Sequence, residues 1–442
     1  MKIGRIARPA ACNPLQNGCP HGLIAPSLQT PEGRIINNWP GLFRRSATQA
    51  AGVTAATRDE EGRELGEIVA IANGRIIGEE LSGGRRVFRG IPYARPPVGA
   101  LRWRLPEPPP NWPSVRDCTR FGPAPMQPPI PPSPLPLITE LQSEDCLYLN
   151  VWAPPVSQAS RLPVIIWFHP GAYQMGSGSQ PFWQGDAWAR AGAVFVSFNH
   201  RLGKLGFLAH PELSNESEDG LSGNYGLMDQ LMVLRWVRDN IGAFGGDPEC
   251  VTIFGASSGA SSVSLLMAMP QAAGLFHRAI AESGGAFGPS DTSTGIGDRW
   301  QTLDAAVAAG AHWASGIGAL DINHLRAMSA EEICRRGALD PYDRHDMFGA
   351  ARPIIDGQLV PESPVSCFAR RGQIKVPLLT GSAANEAMGM GASLSREDHV
   401  ARAKEEFGEL ADQFLDLYPA ETDEEAAIAS RSADGDRLFT WQ

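Results

Sequence analysis

The chain has 442 residues, of which 43% are hydrophobic and 19% are charged, a composition typical of a packed globular protein. Its 38 basic and 48 acidic residues give a net charge of −10, which disfavours nucleic acid or an anionic membrane surface as the partner. No apolar run approaches the length of a membrane span, so no spanning segment is expected. At this length we expect either two domains or one large α/β domain.

The first part of the chain differs from the rest. Residues 1–65 lack a periodic pattern and are rich in Pro, Gly, Asn and Ala. We interpret them as a poorly ordered extension or the product of a wrongly assigned start, and residues 66–442 as the folded domain. The N-terminus has no continuous apolar segment before Glu32, so no secretory signal is expected and the cytoplasm is the predicted compartment.

Seven cysteines are scattered along the chain, an odd number that predicts no disulfide framework. Cys12 and Cys19 are followed by His21, which raises the possibility of a zinc site. The spacing lacks the paired Cys-x-x-Cys elements and the fourth nearby ligand that such a site requires. We therefore predict neither a metal nor a cofactor.

Beyond the extension, residues 68–71 predict a strand, residues 73–74 a hairpin turn, and residues 75–78 the return strand. Residues 106–136 then contain thirteen prolines, which neither a regular helix nor a central strand accommodates. A PxxP ligand for a recognition module is one interpretation of this segment. An extended surface loop is favoured, because the segment lies inside a folded region.

Four short apolar runs follow, at residues 164–168, 193–198, 251–254 and 376–379. They are continuous rather than alternating, which is typical of strands buried on both faces of a parallel sheet. A helix before the third run is predicted by apolar residues at helical spacing: Leu227, Leu231, Leu234 and Val237. Asp229, Arg235 and Arg238 lie off that face. Strands alternating with helices predict a mostly parallel, doubly wound α/β sheet with helices on both faces.

The third run leads directly into Gly255-Ala256-Ser257-Ser258-Gly259, and residues 260–269 predict a helix that Pro270 ends. This strand–turn–helix context gives meaning to a Gly-x-Ser-x-Gly match, in which a sharp turn lifts the serine hydroxyl above the sheet edge. Glycine is needed on both sides because a Cβ there would meet the neighbouring strand or helix. We predict Ser257 as a nucleophile, with the N–H of Ser258 directed at a developing oxyanion.

A second turn supplies further donors. The first run leads into His169-Pro170-Gly171-Ala172-Tyr173, where α/β-hydrolases place an HGGG-type turn whose N–H groups complete an oxyanion hole. Pro170 has no N–H, so Gly171 and Ala172 are the predicted donors. His169 is interpreted as a residue that shapes the turn and not as a catalytic base, because it precedes the nucleophile in the chain.

Further segments share a recognisable pattern with one family; they are residues 88–94, 96–99, 101–103, 143–152, 199–203, 223–230 and 244–248. Together with the elbow they resemble the type-B carboxylesterase family, relatives of the cholinesterases, from about residue 66 to the last residue. The resemblance implies an α/β-hydrolase fold and hydrolysis of a small-molecule ester through an acyl-enzyme. It also implies a triad of Ser, Glu and His in that chain order.

Ser257 matches the nucleophile of that triad, and Glu386 occupies the place of the acid, shortly after the run at residues 376–379. Its implied role is to orient the imidazole and stabilise the imidazolium. An ordinary solvated loop acid is the alternative interpretation of Glu386. Its place just beyond the carboxyl end of a predicted buried strand favours the functional one.

The chain departs from the family pattern at two positions near these motifs. Ala256 stands where the family usually has a Glu immediately before the nucleophile. The family's disulfide partner of Cys146 would fall near Pro125, which is not a cysteine. Cys118 is close in sequence, and whether it pairs with Cys146 is left open; a free thiol in a reducing compartment is favoured.

The largest departure concerns the base. The only histidine after Glu386 is His399, in a charged stretch that predicts an amphipathic helix ending near Leu417, whereas the fold places the catalytic His on a loop. In the family, a segment like residues 436–441 precedes that loop by a few dozen residues. We therefore interpret the sequence as C-terminally truncated and lacking the base.

Two other functions remain open. A non-catalytic binding role, as in adhesion proteins of the superfamily, is favoured by Ala256, Pro170 and the missing His, and disfavoured by an intact elbow serine. Acyl transfer to an alcohol or amine would use the same acyl-enzyme. The sequence predicts neither the acyl and alcohol parts of the substrate nor the oligomeric state.

Overall fold

The computed structural model describes residues 62–128, 141–155, 161–285, 300–337, 351–383 and 393–436. Residues 1–61 lie outside these ranges, and with them Cys12, Cys19, His21 and most of the predicted extension. The division of the chain into residues 1–65 and 66–442 therefore stays a prediction.

In chain order the described strands are β1 (Val69–Ile71), β2 (Gly74–Ile77), β3 (Glu79–Leu81), β4 (Arg85–Pro92), β5 (Val115–Asp117), β6 (Ala124–Pro125), β7 (Gln142–Ser143), β8 (Tyr148–Ala153), β9 (Leu162–Phe168), β10 (Val194–Phe198), β11 (Gly246–Ala256), β12 (Arg278–Glu282) and β13 (Leu378–Gly381). The described α-helices are α1 (Asp186–Arg190), α2 (Gly203–Phe207), α3 (Pro211–Glu216), α4 (Tyr225–Asn240), α5 (Ser258–Ala268), α6 (Leu303–Gly316), α7 (Ile322–Ala327), α8 (Ala330–Gly337), α9 (Pro364–Ala369), α10 (Arg396–Phe407), α11 (Ala411–Leu417) and α12 (Asp423–Gly435). None of the helices in these ranges combines the length and the apolar character that a membrane crossing needs.

Among the described residues, eight strands form the central sheet, in the order β13-β12-β11-β9-β10-β8-β4-β3. The first five are parallel to one another, which confirms the predicted doubly wound arrangement. The last three continue the sheet in antiparallel pairs. The sequence did not reveal this change of direction because β8 is buried almost throughout, so its pattern is as continuous as that of a parallel strand.

The fourth predicted strand is present, but the prediction that it is buried on both faces is wrong. The strand is β13, which begins at Leu378, and Leu378 and Leu379 are 41% and 64% exposed. Within the described residues β13 pairs with β12 alone, so it lies at the edge of the sheet. An apolar run in sequence does not distinguish an edge strand from an interior one.

The predicted hairpin is present, but its turn is one residue earlier. Ile71 pairs with Gly74, so the turn residues are Ala72 and Asn73. Gly74 is the first residue of β2. Glycine is needed there because φ is 150° and a Cβ would lie 2.6 Å from the Trp112 indole nitrogen.

The proline-rich segment is extended, as predicted, but it is not only a surface loop. Its described part, residues 106–128, contributes β5, which pairs with β2, and β6, which pairs with β7. Cys118 and Met126 within it are buried. Residues 129–140 lie outside the described residues.

Helix α4 buries the predicted apolar face, formed by Leu227, Leu231, Leu234 and Val237. Asp229, predicted to lie off that face, is completely buried. The backbone N–H and the guanidinium Nε of Arg201 donate to Asp229 Oδ2 at 3.0 and 2.8 Å, and Nη2 donates to Oδ1 at 2.6 Å. A fully paired carboxylate can occupy the core, and the helical spacing alone did not indicate the burial of Asp229.

The helix predicted to run to Leu417 is broken. Helix α10 ends at Phe407, Gly408 has a φ of 52°, and α11 begins at Ala411. Alanine and phenylalanine side chains from α10, α11 and α12 form a separate small apolar cluster, namely Ala403, Ala411, Phe414 and Ala433. Glycine at positive φ permits the turn that brings these helices together.

Candidate active site

The turn at Ser257 joins the last residue of β11 to the first residue of α5. Ser257 has φ 53° and ψ −123°, a backbone conformation that is strained for a residue with a side chain. Its N–H donates to the carbonyl of Glu282 at 3.0 Å, and its carbonyl accepts from the N–H of Ser261 at 3.0 Å. The turn is therefore held from β12 on one side and from α5 on the other.

The glycines around Ser257 are required by close backbone approach. A Cβ on Gly255 would overlap the backbone of Gly259, and one on Gly259 would overlap the carbonyl oxygen of Phe168 at the end of β9. Both contacts agree with the clashes expected from the sequence. Gly284, which the sequence did not single out, is similar: a Cβ there would lie 2.6 Å from the carbonyl oxygen of Ser257.

The predicted oxyanion loop lies at the same sheet edge as the elbow. Strands β9 and β11 are parallel neighbours with Phe168 opposite Gly255, so His169 and Ser257 leave adjacent strands at their carboxyl ends. Gly171 has a φ of 126°, and Ala172 and Tyr173 have φ values of 55° and 61°. Three successive positive φ values turn the backbone sharply above the sheet.

The three predicted donor groups are unoccupied. The backbone N–H groups of Gly171, Ala172 and Ser258 donate to no acceptor within the part of the chain that the structure describes. Ser258 is the first residue of the eleven-residue helix α5, whose N-terminus carries a partial positive charge. The edge of the sheet therefore presents amide donors suited to an anion.

Groups distant in sequence hold the predicted oxyanion loop, which is formed by residues 169–176. Gln127 accepts from the N–H of Gly176 at 2.8 Å and donates to its carbonyl at 3.1 Å. The carbonyl of Tyr173 accepts from the N–H of Gly203, and its hydroxyl accepts from Ser262 at 3.2 Å. No sequence pattern indicated Gln127, because it lies in the proline-rich segment and its partner is 49 residues away.

His169 and His200 form a buried stacked pair beneath this loop. Their rings are 4.8 Å apart and inclined by 12°, and each Nδ1 lies about 3 Å from a carbonyl, that of Pro170 or Arg201. Burial lowers the pKa of His169 to about 3 and that of His200 to about 4, and each ring is neutral at pH 7. A neutral ring buried under its own turn agrees with the interpretation of His169 as a turn residue.

The remaining predicted triad members are not assembled in the described residues. The hydroxyl of Ser257 has no hydrogen-bond partner there, and none of the described histidines contacts it. His399 is buried among α10, α11 and α12, where its Nε2 lies 3.0 Å from the carbonyl of Tyr418 and its ring packs against Phe414. Glu386 lies in residues 384–392, outside the described residues.

Comparison with known proteins decides the family. The carboxylesterase family model matches residues 66–434. The chain belongs to the carboxylesterase family. Its central sheet, with the elbow after β11, is that of the α/β-hydrolase fold.

Similar carboxylesterase-family proteins include named esterases. The chain is 39% identical over 376 residues to fumonisin B1 esterase of Sphingopyxis macrogoltabida, a match that covers 82% of this chain and 65% of that protein. It is 39% identical over 331 residues to para-nitrobenzyl esterase of Bacillus subtilis, covering 72% and 63%. A Geobacillus stearothermophilus carboxylesterase structure superposes with a TM-score of 0.70 at 33% identity, covering 85% of this chain and 75% of that one. The chain therefore spans a little under two thirds of the length of these curated relatives.

The segments that carry the carboxylesterase resemblance are joined by buried ion pairs. Arg102 donates to both carboxylate oxygens of Glu144, at 2.7 and 2.5 Å, and its third nitrogen donates to the carbonyls of residues 325, 326 and 328. Arg201 and Asp229 link two further segments in the same way. These motif residues stabilise the scaffold and do not line the elbow.

Cys118 and Cys146 of this carboxylesterase-family chain are both free and buried. Burial raises the pKa of Cys118 to about 12, and burial likewise raises the pKa of Cys146 well above its usual value. Both thiols therefore remain protonated at pH 7 and are unreactive core residues.

Proposed function

We propose that this chain carries the site of a serine carboxylic-ester hydrolase that works through an acyl-enzyme on Ser257. The observation that carries the proposal is the conformation of Ser257, which is held at positive φ between β11 and α5. Strain of this kind persists where the surrounding structure enforces it, and it clusters at functional sites. In a nucleophile elbow, the strained turn projects the serine hydroxyl above the sheet edge.

In the proposed reaction, Ser257 Oγ attacks the ester carbonyl carbon, and the carbonyl electron pair moves onto its oxygen. The N–H groups of Gly171, Ala172 and Ser258 donate to that oxyanion, which supports the transition state more than the neutral ester. Collapse of the intermediate expels the alcohol, which takes up the proton that the base removed from Ser257, and leaves the acyl group on Ser257. Water then attacks the acyl-enzyme and releases the acid.

The proton of the Ser257 hydroxyl requires a base. We assign this role to a histidine outside the described residues, since no described histidine hydrogen-bonds to Ser257. Glu386 is the proposed acid that orients the ring and stabilises the imidazolium. In support, β13 ends at Gly381, opposite Glu282, at the edge where the elbow lies, and Glu386 follows soon after.

The proposed substrates are carboxylic esters of small molecules. The names of two relatives, a fumonisin B1 esterase and a para-nitrobenzyl esterase, support this class. Aryl and benzyl esters are therefore suitable first probes for the acyl-enzyme.

A fluorophosphonate probe tests the nucleophile. We expect covalent labelling of the full chain at the peptide that contains Ser257, and no labelling of the Ser257→Ala variant. Ser258→Ala is the matched control, because it removes the neighbouring hydroxyl and keeps the N–H donor, so its labelling should persist. Equal labelling of wild type and Ser257→Ala would contradict the proposal.

A non-catalytic binding role is the second candidate. It is favoured by the Ser257 hydroxyl, which has no base within hydrogen-bonding distance among the described residues. A folded chain that fluorophosphonate never labels, and that turns over no aryl ester, would support this role. Acyl transfer to an alcohol would instead be revealed by an ester product when the alcohol competes with water.

A further inference from the structure

A second cleft lies away from the elbow, beside α4. It has a volume of about 140 Å³. Its apolar wall is formed by Leu105, Met228, Leu231 and Leu359. Of the described residues that line it, none belongs to the elbow or to the oxyanion loop.

Arg235 brings a positive charge to this cleft. It lies on α4 one helical turn after Leu231, is half-buried, and has neither an ion pair nor a hydrogen bond to any described residue. By contrast, Arg238 on the same helix pairs with Asp239, and the buried Arg201 pairs with Asp229. A partly desolvated guanidinium without an acceptor favours an anion, and its planar donors match a carboxylate in two-point geometry.

Two carboxylates also line the cleft, and neither satisfies Arg235. Asp356 is buried and already accepts from Asn224 Nδ2 at 2.7 Å and from the backbone N–H groups of Gln358 and Val360 at 3.0 and 2.9 Å. Asp219 is exposed at the rim and forms no ion pair with Arg235. Arg235 is therefore the one cationic side chain among the described residues that line the cleft, and neither carboxylate pairs with it.

We propose that this cleft binds a small amphipathic monocarboxylate, with its carboxylate on Arg235 and its apolar part along Leu105, Met228, Leu231 and Leu359. The proposal is independent of the proposed esterase function, because the cleft shares no lining residue with the elbow. A ligand of this kind carries a charged group and an apolar part, and residues of both kinds line the cleft.

Isothermal titration calorimetry with octanoate tests the site on the full chain in the Ser257→Ala form, and 1-octanol is the uncharged comparison. We expect octanoate to bind and 1-octanol to bind at least about tenfold more weakly, because only the carboxylate pairs with the guanidinium. Arg235→Gln should weaken octanoate about tenfold or more. Arg238→Gln, on the same helix, should leave the affinity unchanged.

Two further variants keep the test independent of any folding effect at Arg235. Asp219→Asn removes a rim charge that repels the ligand, so octanoate should bind more tightly, by about twofold to fivefold. Leu105 is 54% exposed, and Leu105→Glu should weaken binding by adding a charge at the mouth. Absence of octanoate binding, equal binding of 1-octanol, or unchanged affinity in both Arg235→Gln and Leu105→Glu would overturn the proposal.

Discussion

The conformation of Ser257 depends on atoms that approach its backbone very closely. The N–H bond to Glu282 and the contact with Gly284 hold the turn from the β12 side, while Gly255 and Gly259 allow β11, β9 and α5 to meet. None of these contacts involves the hydroxyl itself. The geometry of Ser257, the proposed nucleophile, is therefore set by the surrounding backbone.

Gly259→Ala should destabilise the fold by about 2–4 kcal/mol, because its Cβ would overlap the carbonyl oxygen of Phe168 and the backbone must move. The same variant should lose fluorophosphonate labelling. Gly242→Ala is the matched control, since nothing lies within 4 Å of a Cβ there. Urea unfolding measures the free energy of unfolding of both variants. An equal loss in Gly259→Ala and Gly242→Ala would show that the close approach at Gly259 does not cause the destabilisation.

The stacked histidines make stability depend on pH. The folded pKa of His169 is about 3 and that of His200 about 4, below the value of about 6.5 for an unfolded histidine. Below pH 6.5 the unfolded chain therefore binds protons that the folded chain does not, and stability falls as the pH falls towards 4. Each histidine contributes a slope of up to about 1.4 kcal/mol per pH unit.

Denaturant unfolding between pH 7 and pH 5 measures this slope. We expect His200→Phe, which keeps an aromatic ring in the stack, to show a shallower decline than the wild type. His324→Gln changes an exposed histidine and should leave the slope as it is. An unchanged slope in His200→Phe would mean that the pair does not remain neutral.

At the scale of elements, local patterns predicted most of what the structure contains. The apolar face of α4 and the strand, turn and helix around Ser257 appear where periodicity and turn residues indicated them, and the hairpin appears with its turn one residue earlier. Two features that the sequence did not reveal depend on contacts distant in sequence. The burial of Asp229 depends on Arg201, and the exposure of β13 depends on its place in the strand order.

Asp229→Asn tests the buried ion pair. It leaves the guanidinium of Arg201 in the core without its counter-charge, and we expect a loss of about 3–5 kcal/mol in the free energy of unfolding. Asp239→Asn is the control, because it breaks an exposed pair with Arg238 and should cost less than about 1 kcal/mol. Similar losses in the two variants would show that burial does not decide the effect.

For the whole molecule, the parallel half of the sheet, the α/β-hydrolase fold and the family could all be predicted from the sequence. The antiparallel half could not, because strand direction leaves no mark on a strand buried on both faces. At the candidate site, the strained turn at Ser257 and the main-chain N–H groups beside it could be predicted from turn chemistry, and their catalytic roles stay predictions. Gln127, Gly284 and the stacked histidines could not, because their roles appear only when separate segments come together.

Ester hydrolysis at a useful rate requires the complete site, including a base for the Ser257 hydroxyl. If none of this chain's own histidines acts as the base, the 442-residue chain should hydrolyse para-nitrophenyl butyrate about 10⁴-fold more slowly than the Bacillus subtilis relative measured beside it. Comparable rates for the two proteins would show that a histidine of this chain acts as the base. His399→Gln would then test the one that follows Glu386.

The proposed oxyanion donors at residues 171, 172 and 258 are main-chain N–H groups, and this has a consequence for mutational scanning. Every amino acid except proline supplies the same N–H, so nineteen of the twenty genetic choices leave the number of donors unchanged. A scan at these positions would therefore rank substitutions by backbone shape, favouring small residues that tolerate the φ of Gly171 and Ala172. The chemistry would appear only as the intolerance of proline.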